Sequence, residues 1–254
     1  MNATNVFHPA ARDLIHAGLQ DLTEARTRFA RLADEGVDAG RLHAMLDALA
    51  DACDPDMALR NLADIITTLQ TQGRALDEII PDTDALARLI AVLGASDAMG
   101  KAMRFRIDLV EATSVDRCNS HLFNPTQRRA HILEAVGADP DADAPVAAAG
   151  LAETTAMLRR AYRRQLAAII AQDMASPDPI AIQPRISEEL SDLADAALEG
   201  ALAIARANTP GSGHVRFAVI GMGKLGAREL NYVSDVDLIY VTEPADPDSG
   251  SRNL

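Results

Sequence analysis

Apolar side chains recur every three to five residues over most of residues 11–208, with a less regular section from Asn119 to Pro145, and this spacing is typical of amphipathic α-helices. The pattern predicts one helix from Ala11 to Glu35 and another from about Pro55 to Gln72. A later helix is expected to begin at a cap formed by Thr83 or Asp84. The chain is therefore expected to be mainly α, with a helical region over residues 1–208.

Two long helices are predicted to end this region, from about Ala147 to Met174 and from Ser187 to Asn208. The run Ser176–Pro179, followed by Pro184, is expected to separate them because proline interrupts helical hydrogen bonding. Ser187 is then the expected N-cap of the second helix.

The pattern changes after Asn208. Two short apolar runs, Val215–Ile220 and Val236–Val241, are typical of buried strands in an α/β layer. The sequence Gly-Met-Gly-Lys-Leu-Gly lies directly after the first run. We therefore expect a second domain to begin at residue 209 and to occupy residues 209–254.

Charge and composition limit the possible functions. The net charge of -13 argues against non-specific binding to nucleic acid, which depends on lysine and arginine. No apolar window is long enough for a membrane span and the first residues do not form a signal peptide, so a cytoplasmic protein without membrane contact is expected. The two cysteines, Cys53 and Cys118, lack the spacing of a zinc site and are interpreted as buried or half-buried thiols.

The glycine-rich run matches the G-x-G-x-x-G fingerprint of dinucleotide-binding turns, and Glu243 could serve as the ribose-binding carboxylate. Two observations disfavour that interpretation. The connection to the second strand is short for a parallel crossover. In addition, Asp235 and Asp237 would place two negative charges beside a pyrophosphate.

A divalent metal would explain both aspartates. Residues i and i+2 of a strand project from the same face, so Asp235 and Asp237 are predicted to lie side by side, as suits Mg²⁺. The amides of the glycine turn could approach phosphate closely, Lys224 could add positive charge, and Ser234 could bond a phosphate oxygen or a backbone amide.

The run from Gly221 to Val241, GMGKLGARELNYVSDVDLIYV, resembles the signature of glutamine synthetase adenylyltransferases, and specifically their N-terminal, adenylyl-removing copy. The segments Ala161–Leu166 and Glu189–Ala196 resemble the helical region that precedes that copy. The resemblance implies a nucleotidyltransferase domain of the DNA polymerase β type. It also implies that Asp235 and Asp237 are catalytic and bind Mg²⁺. The residues implied to shape the nucleotide pocket are Gly221, Gly223, Lys224, Gly226 and Ser234.

The resemblance further implies a reaction and its partners. Phosphate would remove AMP from an adenylylated tyrosine of glutamine synthetase and release ADP, and the full-length protein would also add AMP from ATP. A P-II type nitrogen-signal protein is a possible second partner. The direction of the reaction does not follow from these residues alone.

One departure from the superfamily pattern concerns its third carboxylate, which lies on a later strand. Only Glu243, Asp246 and Asp248 follow the second predicted strand. We therefore expect an N-terminal part of a longer protein, with an incomplete catalytic sheet and no activity alone. The alternative is a non-catalytic helical module that docks glutamine synthetase or a P-II type protein.

Several charged residues outside the motif are interpreted as surface rather than site. Arg128 and Arg129 are expected at the surface, and the six histidines lack metal spacing and receive no role. Four arginines on one helix face could grip phosphate or an acidic loop, but a solvated face is the favoured interpretation: Arg159, Arg160, Arg163 and Arg164.

Overall fold

The structure, a computed structural model, describes residues 7–114, 124–148 and 150–245. Those residues form eleven α-helices and one two-stranded sheet, so the expectation of a mainly α chain with an incomplete sheet is confirmed. The chain divides into two compact units, Met1–Asp116 with Ile170–Pro179, and Arg117–Ile169 with Ile180–Leu254. The helices of residues 1–208 thus belong to both units, and the domain boundary at residue 209 stays a prediction.

The first unit consists of helices, with these bounds: α1 (Ala11–His16), α2 (Leu22–Asp34), α3 (Ala39–Leu49), α4 (Pro55–Thr71), α5 (Thr83–Ala95), α6 (Asp97–Phe105) and α7 (Ile107–Ser114). The central helix of this unit is α4, which contacts α2, α3, α5 and α6. Five apolar side chains of α4 at helical spacing are buried, and they form its inward face: Leu59, Leu62, Ile65, Ile66 and Leu69.

The predicted helix from Ala11 to Glu35 is wrong, because α1 and α2 are separate helices. Gly18 adopts a φ of 77° after α1, and the Leu19 amide donates to the Leu14 carbonyl at 3.1 Å, as in a Schellman helix end. Asp21 then caps α2 by accepting from the Glu24 amide. The apolar spacing continues across this break and conceals it.

The N-cap of α5 also differs from the prediction by one or two positions. Asp82, rather than Thr83 or Asp84, accepts from the Ala85 amide at 2.6 Å.

The second unit contains helices α8 (Pro125–Ala135), α9 (Leu151–Met174), α10 (Pro179–Asn208) and α11 (Gly223–Gly226), with strands β1 (Val215–Gly221) and β2 (Leu238–Pro244). Helix α9 continues into the first unit after Ile169. Helix α10 begins at Pro179, so the predicted start at Ser187 is wrong. Proline is tolerated in the first helical turn, where its missing amide has no partner to lose. Pro184 lies inside α10, and Ser187 accepts a hydrogen bond from the Gln183 amide side chain at 2.8 Å.

The sheet is an antiparallel hairpin whose register runs from the Val215–Pro244 pair to the Gly221–Leu238 pair. β1 confirms the first predicted strand, whereas β2 begins two residues later than expected and leaves Asp237 just outside it. Val215 and Val241 are each nearly half exposed, so the expectation of fully buried strands is wrong. No residue of β1 or β2 is fully buried.

The burial of Arg128, Arg129 and Cys53 differs from what the sequence suggests. Arg128 is fully buried and contacts Gln165 Oε1 at 2.9 Å and Glu189 Oε2 at 3.4 Å, so its placement at the surface is wrong. Arg129 is half-buried and donates through two nitrogens to the Glu199 carboxylate. Cys53 is exposed rather than buried.

Some predicted residues lie outside the described ranges, namely Cys118, His121, Asp246 and Asp248. Among the helices that the structure describes, none combines the length and apolarity that crossing a membrane requires.

Candidate functional site

The glycine-rich sequence forms a tight turn between β1 and α11, and each of its three glycines has a steric reason. A Cβ on Gly226 would lie 2.6 Å from the Gly221 carbonyl oxygen, closer than real contacts allow. A Cβ on Gly221 would lie 2.9 Å from the Leu225 side chain. Gly223 has a φ of 54°, a conformation that side chains disfavour. The turn therefore requires glycine for close approach and for backbone geometry.

Asp237 lies against this turn. Its Oδ2 is 3.5 Å from the position that a Cβ would take on Gly223, and its carbonyl accepts from the Met222 amide at 2.9 Å. The Asp237 side chain is exposed to solvent. The structure thus brings one of the two predicted acidic residues directly to the glycine turn.

Asp235 is also exposed and lies two residues earlier, in the segment that leads into β2. The two carboxylates would share one face if Asp235 and Asp237 both lay in a strand, but neither residue is part of β2. The side-by-side placement of Asp235 and Asp237 therefore stays a prediction.

Ser234 closes a small turn with Asn231. The Ser234 hydroxyl donates to Asn231 Oδ1 at 2.9 Å and accepts from the backbone N–H of Asn231 at 3.3 Å. Asn231 Oδ1 also accepts from the Val233 amide. Sequence reasoning gave Asn231 no role of its own, although asparagine side chains commonly organise turns in this way. In this structure Ser234 shapes the segment that leads to Asp235.

The turn is anchored on α9 and α10 by apolar contacts. Leu225 and Leu230 are buried in one cluster with side chains of α9 and α10, and Leu238 packs against that cluster. Tyr162 of α9 also packs there, and burial raises the pKa of its hydroxyl. The glycine turn and the start of β2 thus rest on the same helical platform.

Polar contacts hold the segment after α11. Arg228 has a φ of 60° and donates to Asp192 Oδ1 at 2.6 Å, and this hydrogen bond raises the pKa of Arg228. The Leu230 amide donates to Ser191 Oγ at 3.4 Å. Sequence reasoning missed Arg228, Asp192 and Ser191, because contacts between residues this far apart leave no local pattern.

The dinucleotide interpretation is excluded by the strand pairing. The dinucleotide-binding turn joins parallel strands through a crossover helix, whereas β1 and β2 are antiparallel. Glu243 pairs with Arg216 at 3.2 Å, at the end of the hairpin opposite the glycine turn. It cannot serve as a ribose-binding carboxylate at that turn.

The remaining site residues are compatible with a metal-bound phosphate. Within the described residues no three acidic, histidine or cysteine side chains are placed to hold a metal ion by themselves. One or two carboxylates beside a phosphate-binding turn suit Mg²⁺, which takes few protein ligands and completes its shell with phosphate oxygens and water. Lys224 is exposed on α11 and adds positive charge to the same turn.

Comparison with known proteins shows that most of the chain is similar to one protein family. The model of the family described as glutamate-ammonia ligase adenylyltransferase matches residues 86–254. A bifunctional glutamine synthetase adenylyltransferase/adenylyl-removing enzyme from Bifidobacterium longum (strain DJO10A) is 63% identical over 252 residues, which is 99% of this chain and 23% of that protein.

Proteins of the same name from other organisms are more distant. The protein from Cutibacterium acnes is 35% identical over 93% of this chain, and that from Leifsonia xyli subsp. xyli is 38% identical over 92%. The chain covers 24% and 23% of those proteins, so it spans about a quarter of the relatives' length. No solved structure matches the chain. The region that matches the family model contains the glycine turn, Asp237 and the helices α9 and α10 that support them. The chain therefore belongs to the glutamate-ammonia ligase adenylyltransferase family.

Proposed function

We propose that this chain carries the nucleotide-binding turn of a Mg²⁺-dependent nucleotidyltransferase that regulates glutamine synthetase by removing AMP from an adenylylated tyrosine. One observation carries the proposal: the Asp237 carboxylate lies against Gly223 of the glycine turn, in a chain that belongs to this family. The relatives' name includes both the adding and the removing activity, and the likeness of residues 221–241 to the adenylyl-removing copy favours removal.

The glycine turn would bind the phosphates. The first amides of a helical turn have no acceptor inside that turn, so those of Gly223 and Lys224 are available to phosphate oxygens. The Lys224 ammonium group would balance part of the phosphate charge. Asp235 and Asp237 would hold Mg²⁺, which when bound stabilises negative charge on the transferring phosphoryl group. Ser234 supports this arrangement through its turn with Asn231.

In the removal reaction an oxygen of inorganic phosphate forms a bond to the phosphorus of the AMP group. The bond from that phosphorus to the tyrosine oxygen breaks, ADP is released, and the phenolate takes a proton. The same site with ATP would run the attachment of AMP. ATP, ADP, phosphate and glutamine synthetase are the proposed partners, with a P-II type protein as a regulator.

The experiment uses the complete protein of which this chain is a part, with Asp235→Asn and Asp237→Asn made separately. We expect each variant to lower the rate of AMP removal by about a hundredfold or more, the usual scale for losing one transition-state contact. Binding to glutamine synthetase should be unchanged. We also expect the 254-residue chain alone to be inactive.

The alternative, a non-catalytic helical module that docks glutamine synthetase or a P-II type protein, predicts the opposite pattern. Wild-type rates of AMP removal in both variants would contradict the nucleotidyltransferase proposal and favour the docking module.

A further inference from the structure

Four arginines form a charged stripe on one face of α9, and we call Arg159, Arg160, Arg163 and Arg164 the arginine stripe. All four side chains belong to exposed residues. Their spacing makes Arg159 and Arg163, and likewise Arg160 and Arg164, neighbours one helical turn apart. Four positive charges are therefore held close together on the surface of the second unit.

The arginine stripe has no acidic partner among the described residues. The acids of α9 are Glu153 and Asp173, which lie toward its two ends, farther from the stripe than the three- or four-residue spacing of a helical ion pair. The other described arginines contact a carboxylate or a carbonyl oxygen, with the exception of Arg26. Those contacts include Arg129 with Glu199, Arg228 with Asp192, Arg88 with the Thr113 carbonyl and Arg206 with the Pro145 carbonyl.

This clustering is unfavourable for the isolated helix. Like charges at positions i and i+4 destabilise a helix by about 0.2–0.5 kcal/mol per pair. The chain as a whole carries a net charge of -13, so acids able to neutralise the stripe are abundant but are placed elsewhere. The arginine stripe is therefore a positive patch on an otherwise acidic molecule.

We propose that the arginine stripe is a docking surface for an acidic polypeptide segment of a partner protein. Guanidinium groups bind carboxylates through two parallel hydrogen bonds, and this geometry suits glutamate and aspartate side chains. The inference goes beyond the nucleotide chemistry proposed above and does not depend on it.

Charge also selects among possible occupants. A nucleic acid carries closely spaced phosphates along its length, so contact at the stripe would bring many further negative charges against the acidic remainder of the surface. A second copy of this chain carries the same net charge of -13, and the two copies would repel each other. A short acidic segment can neutralise the four arginines without adding charge elsewhere.

The arginine stripe lies on the same helix that supports the candidate site. Tyr162 and Leu166, on the same helix, pack against the cluster that contains Leu225 and Leu230. A partner held at the stripe would be bound to the helix that supports the glycine turn.

The test measures binding of a fluorescent peptide in which glutamate alternates with serine, at low ionic strength, to the 254-residue chain. The stripe variant carries Arg159→Gln, Arg160→Gln, Arg163→Gln and Arg164→Gln. A matched control removes four charges from exposed positions of the first unit, with Arg12→Gln, Arg26→Gln, Arg31→Gln and Lys101→Gln. We expect the stripe variant to bind the peptide about tenfold more weakly, as four exposed ion pairs would provide, and the control to bind like wild type.

Thermal unfolding separates lost binding from lost folding. The stripe variant should unfold at or above the wild-type temperature, because repulsion among the arginines is relieved. A variant in which the four arginines become lysine should retain more binding than the glutamine variant and thereby confirm the role of charge.

Several results would overturn the proposal. The first is that the wild-type chain does not bind the peptide. The second is that the stripe variant and the control lose peptide affinity equally. The third is that the stripe binds a single-stranded oligonucleotide of equal charge more tightly than it binds the peptide. Stripe-dependent self-association in sedimentation would assign the surface to a second copy and overturn it as well.

Discussion

Gly226 is the residue of the candidate site with the least steric freedom. A side chain there would meet the Gly221 carbonyl oxygen at 2.6 Å, and because that oxygen belongs to the backbone it cannot rotate away. We expect Gly226→Ala to lower the free energy of unfolding by about 1–3 kcal/mol, the usual cost of forcing extra atoms into a packed position. Denaturant unfolding of the chain measures this change.

Gly213 provides the matched control for that substitution. It lies in a short 3-10 turn, Ser212–His214, before β1, and a Cβ there would have no atom within 4 Å. Gly213→Ala should change the free energy of unfolding by less than about 0.5 kcal/mol. Equal stability of the Gly226→Ala and Gly213→Ala variants would show that the close contact has no energetic consequence.

At the same scale, sequence reasoning identified some site residues and missed others for physical reasons. Glycine spacing and an acidic pair are local patterns, so the turn and Asp237 could be predicted, and the structure places them together. The Arg228–Asp192 ion pair joins positions far apart in sequence and could not be read from either segment. Arg128 was misjudged because a charged side chain next to another arginine gives no sign of burial.

At the scale of elements, helix periodicity located helices well but located their ends poorly. Helix α4 was predicted to within one residue of its observed end, because its apolar face is continuous and Pro55 marks its start. The break between α1 and α2 and the early start of α10 depend on single glycine, aspartate and proline residues. Glycine and proline act through backbone conformation and aspartate through a capping hydrogen bond, and hydrophobic spacing reports none of these effects.

Tyr162 connects helix α9 to the glycine turn and gives a pH-dependent prediction. Burial raises the pKa of the Tyr162 hydroxyl, so the unfolded chain loses this proton more readily than the folded chain. As pH rises through the ordinary tyrosine pKa of about 10, wild-type stability should therefore fall. Tyr162→Phe removes this contribution, so the variant should be as stable as wild type at neutral pH and more stable at alkaline pH.

Chemical denaturation at neutral pH and at about pH 10.5, just above the ordinary tyrosine pKa, measures the difference. A stability gap between Tyr162→Phe and wild type that is the same at both values would contradict the effect of burial on this hydroxyl.

At the scale of the whole molecule, the apolar spacing predicted the helical class, whereas the division into units was not predicted. That spacing indicated helices over most of residues 11–208, and the described residues are mainly helical. The division between the units falls inside α9, because residues 170–179 group with the first unit. Such a division depends on long-range packing and has no local signal in the sequence.

The burial of the hairpin differs from what its apolar runs predicted. Its strands were predicted from apolar runs, but several of those apolar side chains are exposed, including Ile220, Ile239 and Val241. The apolar pattern therefore identified the strands correctly and their burial incorrectly.

The central claim is that the glycine turn and the adjacent aspartates together hold a metal-bound nucleotide. Its most direct test is electron paramagnetic resonance of Mn²⁺, used in place of Mg²⁺, titrated with ADP into the complete protein and its Asp237→Asn variant. Asp51→Asn, an exposed position in the first unit, serves as the control. The account predicts that wild type and the control bind Mn²⁺ with ADP more tightly than Mn²⁺ alone, and that Asp237→Asn loses this gain. Equal binding of Mn²⁺ with ADP by Asp237→Asn and wild type would contradict it.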